Sequence, residues 1–503
     1  MRHASGRRRR TLLAGAVAAL VVVAAAVAAW FLWSPGAGAA RGVEVMPVLE
    51  PATLSVAPGD VVTLAGGGVT DASFQLSQAL WSSAPVVALA TEDTLTEVSA
   101  ATAGLSLPLL VVPGDPGEED TARLASELER LGTRAVTHAG VTLPAGIDVE
   151  HLRASHLKRP GDAGVTPHLL VGDAATRDLA EAVLSPVAGA ADIAAEDPRG
   201  AVDVIRAIAE DPEAALVVMG DFADEDYRWK LETVLTGVEL PGGGQLAAPG
   251  KLYVALYGHP GSSALGVLGE QGVEATIERA RAHAAPYEAL TDMTVVPSLE
   301  IIATIASAGA GPDGNYSAEA EIATLRPLVD AAAENGLYVV LDLQPGRTDF
   351  LTQAKLYEEL LREPHVGLAL DPEWRLKPNQ VHLRQIGSVA IDEVNEVANW
   401  LADLTREHLL PQKVLILHSF RISMTPDIDR LDTSRDELAI VMHVDGQGAQ
   451  GAKQETWRAL HDYAPNMPFW GWKNFYDEDS PAMLTPEQTM ANVSPTPVFV
   501  SYQ

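Results

Sequence analysis

Val366-Gly367-Leu368-Ala369-Leu370-Asp371-Pro372-Glu373 is an apolar run that ends in two carboxylates separated by a proline. Side chains alternate across a strand with a period of two. Gly367, Ala369, Asp371 and Glu373 therefore share one face, and Leu368 and Leu370 the other. Small residues suit the crowded interior of a closed barrel, and leucines suit the layer beneath its helices. On that assignment Asp371 and Glu373 point over the barrel mouth.

The run is one of eight in the second half of the chain, at 252–257, 293–301, 337–343, 366–370, 413–418, 438–443, 468–472 and 498–501. Helix-like segments separate most of them, for example 272–284, 318–335 and 392–409. Their number and spacing match a (β/α)₈ barrel of about 250 residues, with a doubly wound open sheet as the alternative. The same parity places Asp342 with Val340 and Tyr338, Glu300 with Ser298, and Asp445 with His443 and Val441. The fifth strand ends at His418. The seventh carries Trp470, Trp472 and Asn474 on one face and Lys473 on the other. In a barrel of this kind the active face lies where strands end, and four strands here end in carboxylates.

Upstream, residues 61–245 alternate short apolar runs (85–90, 107–113, 134–137, 168–172 and 215–220) with amphipathic stretches such as 122–131 and 201–209. This is the pattern of an α/β region with a parallel sheet. The Pro/Gly-rich stretch 240–251, LPGGGQLAAPGK, marks the boundary with a barrel over 246–503. Residues 34–60 read as a linker.

At the N-terminus Arg7-Arg8-Arg9-Arg10 precedes residues 11–33, which carry no charge. A helix of that length spans roughly 34 Å, enough for a bilayer core. Residues 1–33 are therefore read as a cytoplasmic arginine-rich stub and a single-pass transmembrane anchor, with the rest of the chain extracytoplasmic. The alternative is secretion after cleavage near Ala37-Gly38-Ala39. The net charge of −32 argues against nucleic-acid binding. The absence of cysteine excludes disulfides, thiolate nucleophiles and Cys-ligated zinc. Neither glycine-rich loop (307–314, 446–451) has nucleotide-binding spacing, so no cofactor is expected.

Asp371-Pro372-Glu373-Trp374 resembles the end of the chitinase-like (family 18) glycoside hydrolase signature D-x-x-D-x-D-x-E, although Val366 and Ala369 occupy its earlier acidic positions. That resemblance implies Glu373 as general acid and Asp371 as the group that orients the sugar's acetamido substituent. Asp342, Glu300 and Asp445 would support them. Trp470 and Trp472 would stack on sugar faces, with Asn474 binding hydroxyls. His259, His418 and His443 follow the first, fifth and sixth strands, broadly where metal-dependent amidohydrolase barrels carry ligands, but the paired H-x-H of those enzymes is absent.

Residues 70–81 (TDASFQLSQALW), 85–93, 107–111 and 128–136 resemble the cell-wall-binding repeat 2 family of surface proteins, in an actinobacterial type with a C-terminal barrel. The resemblance implies noncovalent attachment to wall polymers. Together these readings give a membrane-anchored protein acting on or binding cell-wall polysaccharide or peptidoglycan. A non-catalytic wall-binding scaffold with a degenerate barrel is one alternative. A metal-dependent hydrolase centred on His418 and His443 is the other.

Overall fold

The computed structural model describes residues 52–55, 61–64, 68–157, 167–171, 183, 197–210, 215–219 and 225–503. In the N-terminal region, parallel strands Val86–Ala90, Leu109–Val111, Ala135–His138 and Glu150–His151 form one sheet. Val61–Leu64, Pro167–Val171 and Ala215–Met219 form a second parallel sheet. The helix Glu118–Arg130 buries Leu124 and Leu128, four residues apart and so one turn apart on its surface.

The second half is a closed barrel. Its strands are β1 (Lys251–Gly258), β2 (Thr294–Ala306), β3 (Tyr338–Leu343), β4 (Val366–Leu370), β5 (Lys413–His418), β6 (Leu438–Val444), β7 (Phe469–Asn474) and β8 (Phe499–Tyr502). Each pairs in parallel with its successor, and β1 pairs with both β2 and β8. That closure removes the open-sheet alternative, because no edge is left among these strands.

Strand residues of one parity face outward and pack under helices α1 (Val273–Ala284), α2 (Ile322–Asn335), α3 (Ile391–Glu407) and α4 (Gln450–Tyr463). Leu341, Leu368 and Leu415 are among them, and each is nearly inaccessible to solvent. Burying such a side chain contributes about 1.5–3 kcal/mol. The other parity fills the interior with Tyr253, Val296, Tyr338, Val340, Ala369, Ile416, Val441 and Phe499. At Gly367 a β-carbon would lie 2.5 Å from the Val414 carbonyl and 2.9 Å from the Tyr338 hydroxyl. The tyrosine fills that layer, and glycine leaves it room.

The Pro/Gly stretch read as a boundary does more than separate two regions. Leu240, Ala247 and Ala248 pack against the lower interior residues and close the barrel floor. Gln412 Oε1 accepts hydrogen bonds from the Ala247 and Ala248 amides at 3.0 and 3.3 Å, and Tyr253 donates to the Ala247 carbonyl at 2.9 Å. The floor is also tied to the preceding region: Arg199 donates to the Asp436 carbonyl, and Arg199 and Arg406 both sit over the Trp229 ring.

One expectation is corrected. Among the described residues no helix is long and apolar enough to cross a membrane, and the segment 11–33 lies outside them. The described residues thus give no support to the transmembrane anchor, the membrane as a partner or the single-pass membrane location, and these are not carried further.

Candidate active site and metal centre

The top layer of the barrel draws one polar side chain from each of the first seven strands or their ends. These are Tyr257, Glu300, Asp342, Asp371, His418, His443 and Lys473. All are buried, and the pairing register aligns them: Tyr257 lies opposite Glu300, His418 opposite His443, and Lys473 opposite Ser501. The layer above is completed by Asp445 and Glu373, just past the ends of β6 and β4.

His418 is the centre. Its Nε2 lies 2.7 Å from Glu300 Oε1 and 3.9 Å from Asp342 Oδ1, and its Nδ1 lies 3.0 Å from Asp445 Oδ2. Burial works against a charged ring, but the flanking carboxylates outweigh it and hold the His418 pKa well above the usual imidazole range. His443 has the opposite fate. Burial, with the neighbouring His418 charge, pushes it down to about 3 and keeps it neutral. Its Nδ1 lies 3.3 Å from His418 Nδ1, and its Nε2 lies 3.2 Å from the Ser501 hydroxyl. Gly471 makes this possible, since a β-carbon there would sit 2.6 Å from His443 Cδ2.

Around that pair the carboxyl groups are crowded. The Tyr257 hydroxyl donates to Asp342 Oδ2 at 3.0 Å and receives the Gln344 amide at 3.2 Å. Burial, aided by Glu300, still pushes Asp342 up to about 6. Asp371 accepts the Glu373 amide at 3.1 Å and so caps the short turn Pro372–Trp374, which carries Glu373 over the mouth. Burial and the Asp342 and Asp445 carboxylates drive Asp371 well above its ordinary range. Burial, then Asp445, pushes Glu373 up to about 7. The Lys473 ammonium rests 3.4 Å from the centroid of the Tyr257 ring. Above this layer a cavity of about 560 Å³ opens to solvent, lined by Tyr257, Gln344, Asp371, Glu373, Asp445 and Lys473, with Trp374, Phe420 and Phe475 on its apolar side.

Five carboxyl groups (Glu300, Asp342, Asp371, Glu373 and Asp445) thus face two cationic side chains, His418 and Lys473. The imbalance is visible atom by atom. Glu300 Oε2, Asp342 Oδ1 and Asp445 Oδ1 are buried without a hydrogen-bond partner. A buried, unpartnered carboxylate oxygen is expensive, so the arrangement calls for a further cation or proton. Glu300, His418 and His443 each offer a ligand atom, all within 4.8 Å of one another. Ligand atoms around a tetrahedral zinc are about 3.4 Å apart, so modest side-chain movement would suffice to close on an ion.

The structure brings together Glu373, Asp371, Asp342, Glu300, Asp445, His418 and His443. It separates the rest. His259 binds the Gly261 amide through Nδ1 and stands outside the Glu300–His418–His443 cluster. Trp470 stacks on His461 at 3.4 Å, and Trp472 packs edge-on to Trp457 at 5.6 Å, both beneath α4 rather than in the cavity. Asn474 accepts the Trp472 indole N–H. Tyr257, Gln344 and Lys473 were not selected from sequence. Tyr257 ends its strand with interior parity, and Lys473 is the one cation within the aromatic run, which were the available signals.

The reading of a membrane-anchored, wall-glycan-directed protein is corrected here as well. No spanning helix is found among the described residues, and the heart of the site is a His/His/Glu cluster rather than a bare carboxylate pair.

No family model and no curated protein matches the chain. Among solved structures, the chain is similar to 7,8-dihydropteroate synthase from Vibrio fischeri ES114, with 10% identity, 50% of this chain and 87% of that one covered, and a TM-score of 0.28. It is also similar to a broad-specificity GH5-4 endoglucanase from Clostridum cellulovorans, with 12% identity, 50% and 84% covered, and a TM-score of 0.30. Likeness at these scores carries no argument, and the barrel assignment rests on the strand pairing itself.

Proposed function

We propose that the protein is a metal-dependent hydrolase whose ion is held by Glu300, His418 and His443. The observation that carries this reading is the trio of buried carboxylate oxygens without hydrogen-bond partners on Glu300, Asp342 and Asp445, gathered around two histidines. A divalent cation there would supply Lewis acidity beneath the cavity. The chain supplies the rest. Asp445 and Asp342 orient the ligand histidine and offset the positive charge. Asp371 positions Glu373 through its backbone amide. Glu373, with a pKa near neutrality, exchanges a proton with the reacting group. Lys473 presents a cation to the substrate's polar end, and Tyr257 holds Asp342 in place.

The test is metal content. The full chain, stripped with chelator, is loaded separately with Zn²⁺ and Mn²⁺, dialysed and analysed, with His443→Ala and Glu300→Gln in parallel and circular dichroism as the folding control. One retained equivalent in the parent chain and none in the folded variants is the expected result. Cation-dependent turnover of p-nitrophenyl esters, phosphates or glycosides would complete it. No retained ion of either kind would sink the reading.

A further inference from the structure

Beside the main cavity lies a second one of about 420 Å³, lined by Trp374, His382, Leu383, Arg384, Gln385 and Arg421 among others. The two cavities share Glu373, Trp374 and Leu383, so they form a continuous cleft with Glu373 at the junction. Two features of this second cavity are not needed to hold the fold together.

The first is charge. This is an acidic chain, and its arginines are largely consumed by carboxylates: Arg375 is bidentate on Glu393, Arg326 bridges Glu359 and Glu363, and Arg435 holds Asp403 and Glu437. Arg384 and Arg421 are exposed on the same cavity and make no ion pair or side-chain hydrogen bond among the described residues. Two guanidinium groups left unpaired together, where acids are abundant, form a ready site for an oxyanion. The second feature is Leu383. It adopts a left-handed backbone conformation (φ 61°) and leaves its side chain 87% exposed at the cleft. For a leucine that conformation carries a penalty of about 1 kcal/mol, with apolar exposure added to it. A ligand lying across both cavities would cover the side chain.

We propose that the cleft takes an oxyanion-bearing substrate, carboxylate or phosphate, whose charged group is clasped by Arg384 and Arg421 while its body crosses Leu383 and Trp374 to the reacting end at Glu373. What happens at that reacting end rests on the hydrolase reading. The anion subsite does not, because it lies in the second cavity and does not include the Glu300–His418–His443 cluster. Placing two guanidinium groups at the far end of a cleft whose other end is crowded with carboxylates gives the substrate a fixed direction: anion outward, scissile bond over the carboxylates.

The experiment uses chelator-stripped full-length protein, so that no cation contributes. Inorganic phosphate and succinate are titrated separately at constant ionic strength, with binding followed by calorimetry and tryptophan fluorescence. The comparison proteins are Arg384→Gln/Arg421→Gln, at exposed positions whose loss leaves the fold intact, and Arg458→Gln as a control for general charge. Saturable binding of at least one anion, weakened about tenfold or more in the double variant and unchanged in the control, is expected. The preferred anion identifies the chemical class. Absence of saturable binding, or equal weakening in the control, overturns the anion subsite. Either result leaves the metal centre to stand or fall on its own loading experiment.

Discussion

His418 Nε2 and Glu300 Oε1 meet at 2.7 Å inside the barrel, joining the fifth strand to the second with both side chains fully buried. Burial disfavours both charges, yet with no ion bound the pair holds His418 protonated and the Glu300 carboxyl below its ordinary range, and an ion at the cluster would have to displace that proton. Breaking one partner of such a pair strands the other charge, at about 3–5 kcal/mol. Glu300→Gln is expected to lower unfolding free energy by about 3 kcal/mol in urea titration, with loss of the bound cation.

On the hydrolase proposal, Glu373 is expected to carry the pH dependence of turnover. Its pKa of about 7 lies above the ordinary carboxyl value, so it is mostly protonated below neutrality and ionised above it. If it accepts a proton in the rate-determining step, kcat rises through about pH 7 and then levels. Glu373→Gln should lower kcat by about 10²–10⁴ and abolish that limb while metal content is retained. A variant that keeps both rate and limb would remove Glu373 from the chemistry.

Gly471 can be tested sterically. Its β-carbon would have to displace His443, whose Cδ2 would lie only 2.6 Å away. Gly471→Ala is therefore expected to destabilise the protein by about 1–3 kcal/mol and to weaken cation binding tenfold or more, without touching any ligand atom. Calorimetric titration with Zn²⁺ measures the second effect independently of the first.

Lys413, fully buried at the start of β5, donates to the Glu363 and Val366 carbonyls at 2.9 and 2.8 Å, and burial lowers its pKa to about 7. An unfolded lysine titrates near 10.4. Between these values the unfolded chain binds more protons, so this group makes stability rise with pH from about 7 to about 10. Below pH 7 its contribution is flat and at its least favourable. Lys413→Met should flatten the rise between pH 7 and 10, read from urea midpoints at successive pH values.

Much of the barrel was legible because strands buried on both faces read as unbroken apolar runs, and because alternation sorted Asp371 from Leu370 and Asp342 from Leu341. The parity of β7 was legible, but its facing was not. Trp470 and Trp472 are bulky enough to suggest a filled interior or a sugar platform. In the fold their volume goes into the gap beneath α4, against Trp457, while the thinner Lys473 fits the crowded centre. Residues 240–251 read only as a boundary because composition marks turns without saying what a turn covers. The pairing of His418 with Glu300, 118 positions earlier, joins β5 to β2 inside the barrel, and no local pattern records it.

Among the described residues, the floor built by Leu240, Ala247 and Ala248 closes the lower end of the barrel and leaves the mouth as its doorway. Whatever reaches the polar layer from the mouth must depart by the same opening, past Glu373 and Leu383. Arrival and departure therefore exclude one another, and on the hydrolase proposal spent product standing in the doorway would compete directly with the next molecule to enter. Turnover in such a vessel would then be paced by emptying as much as by filling.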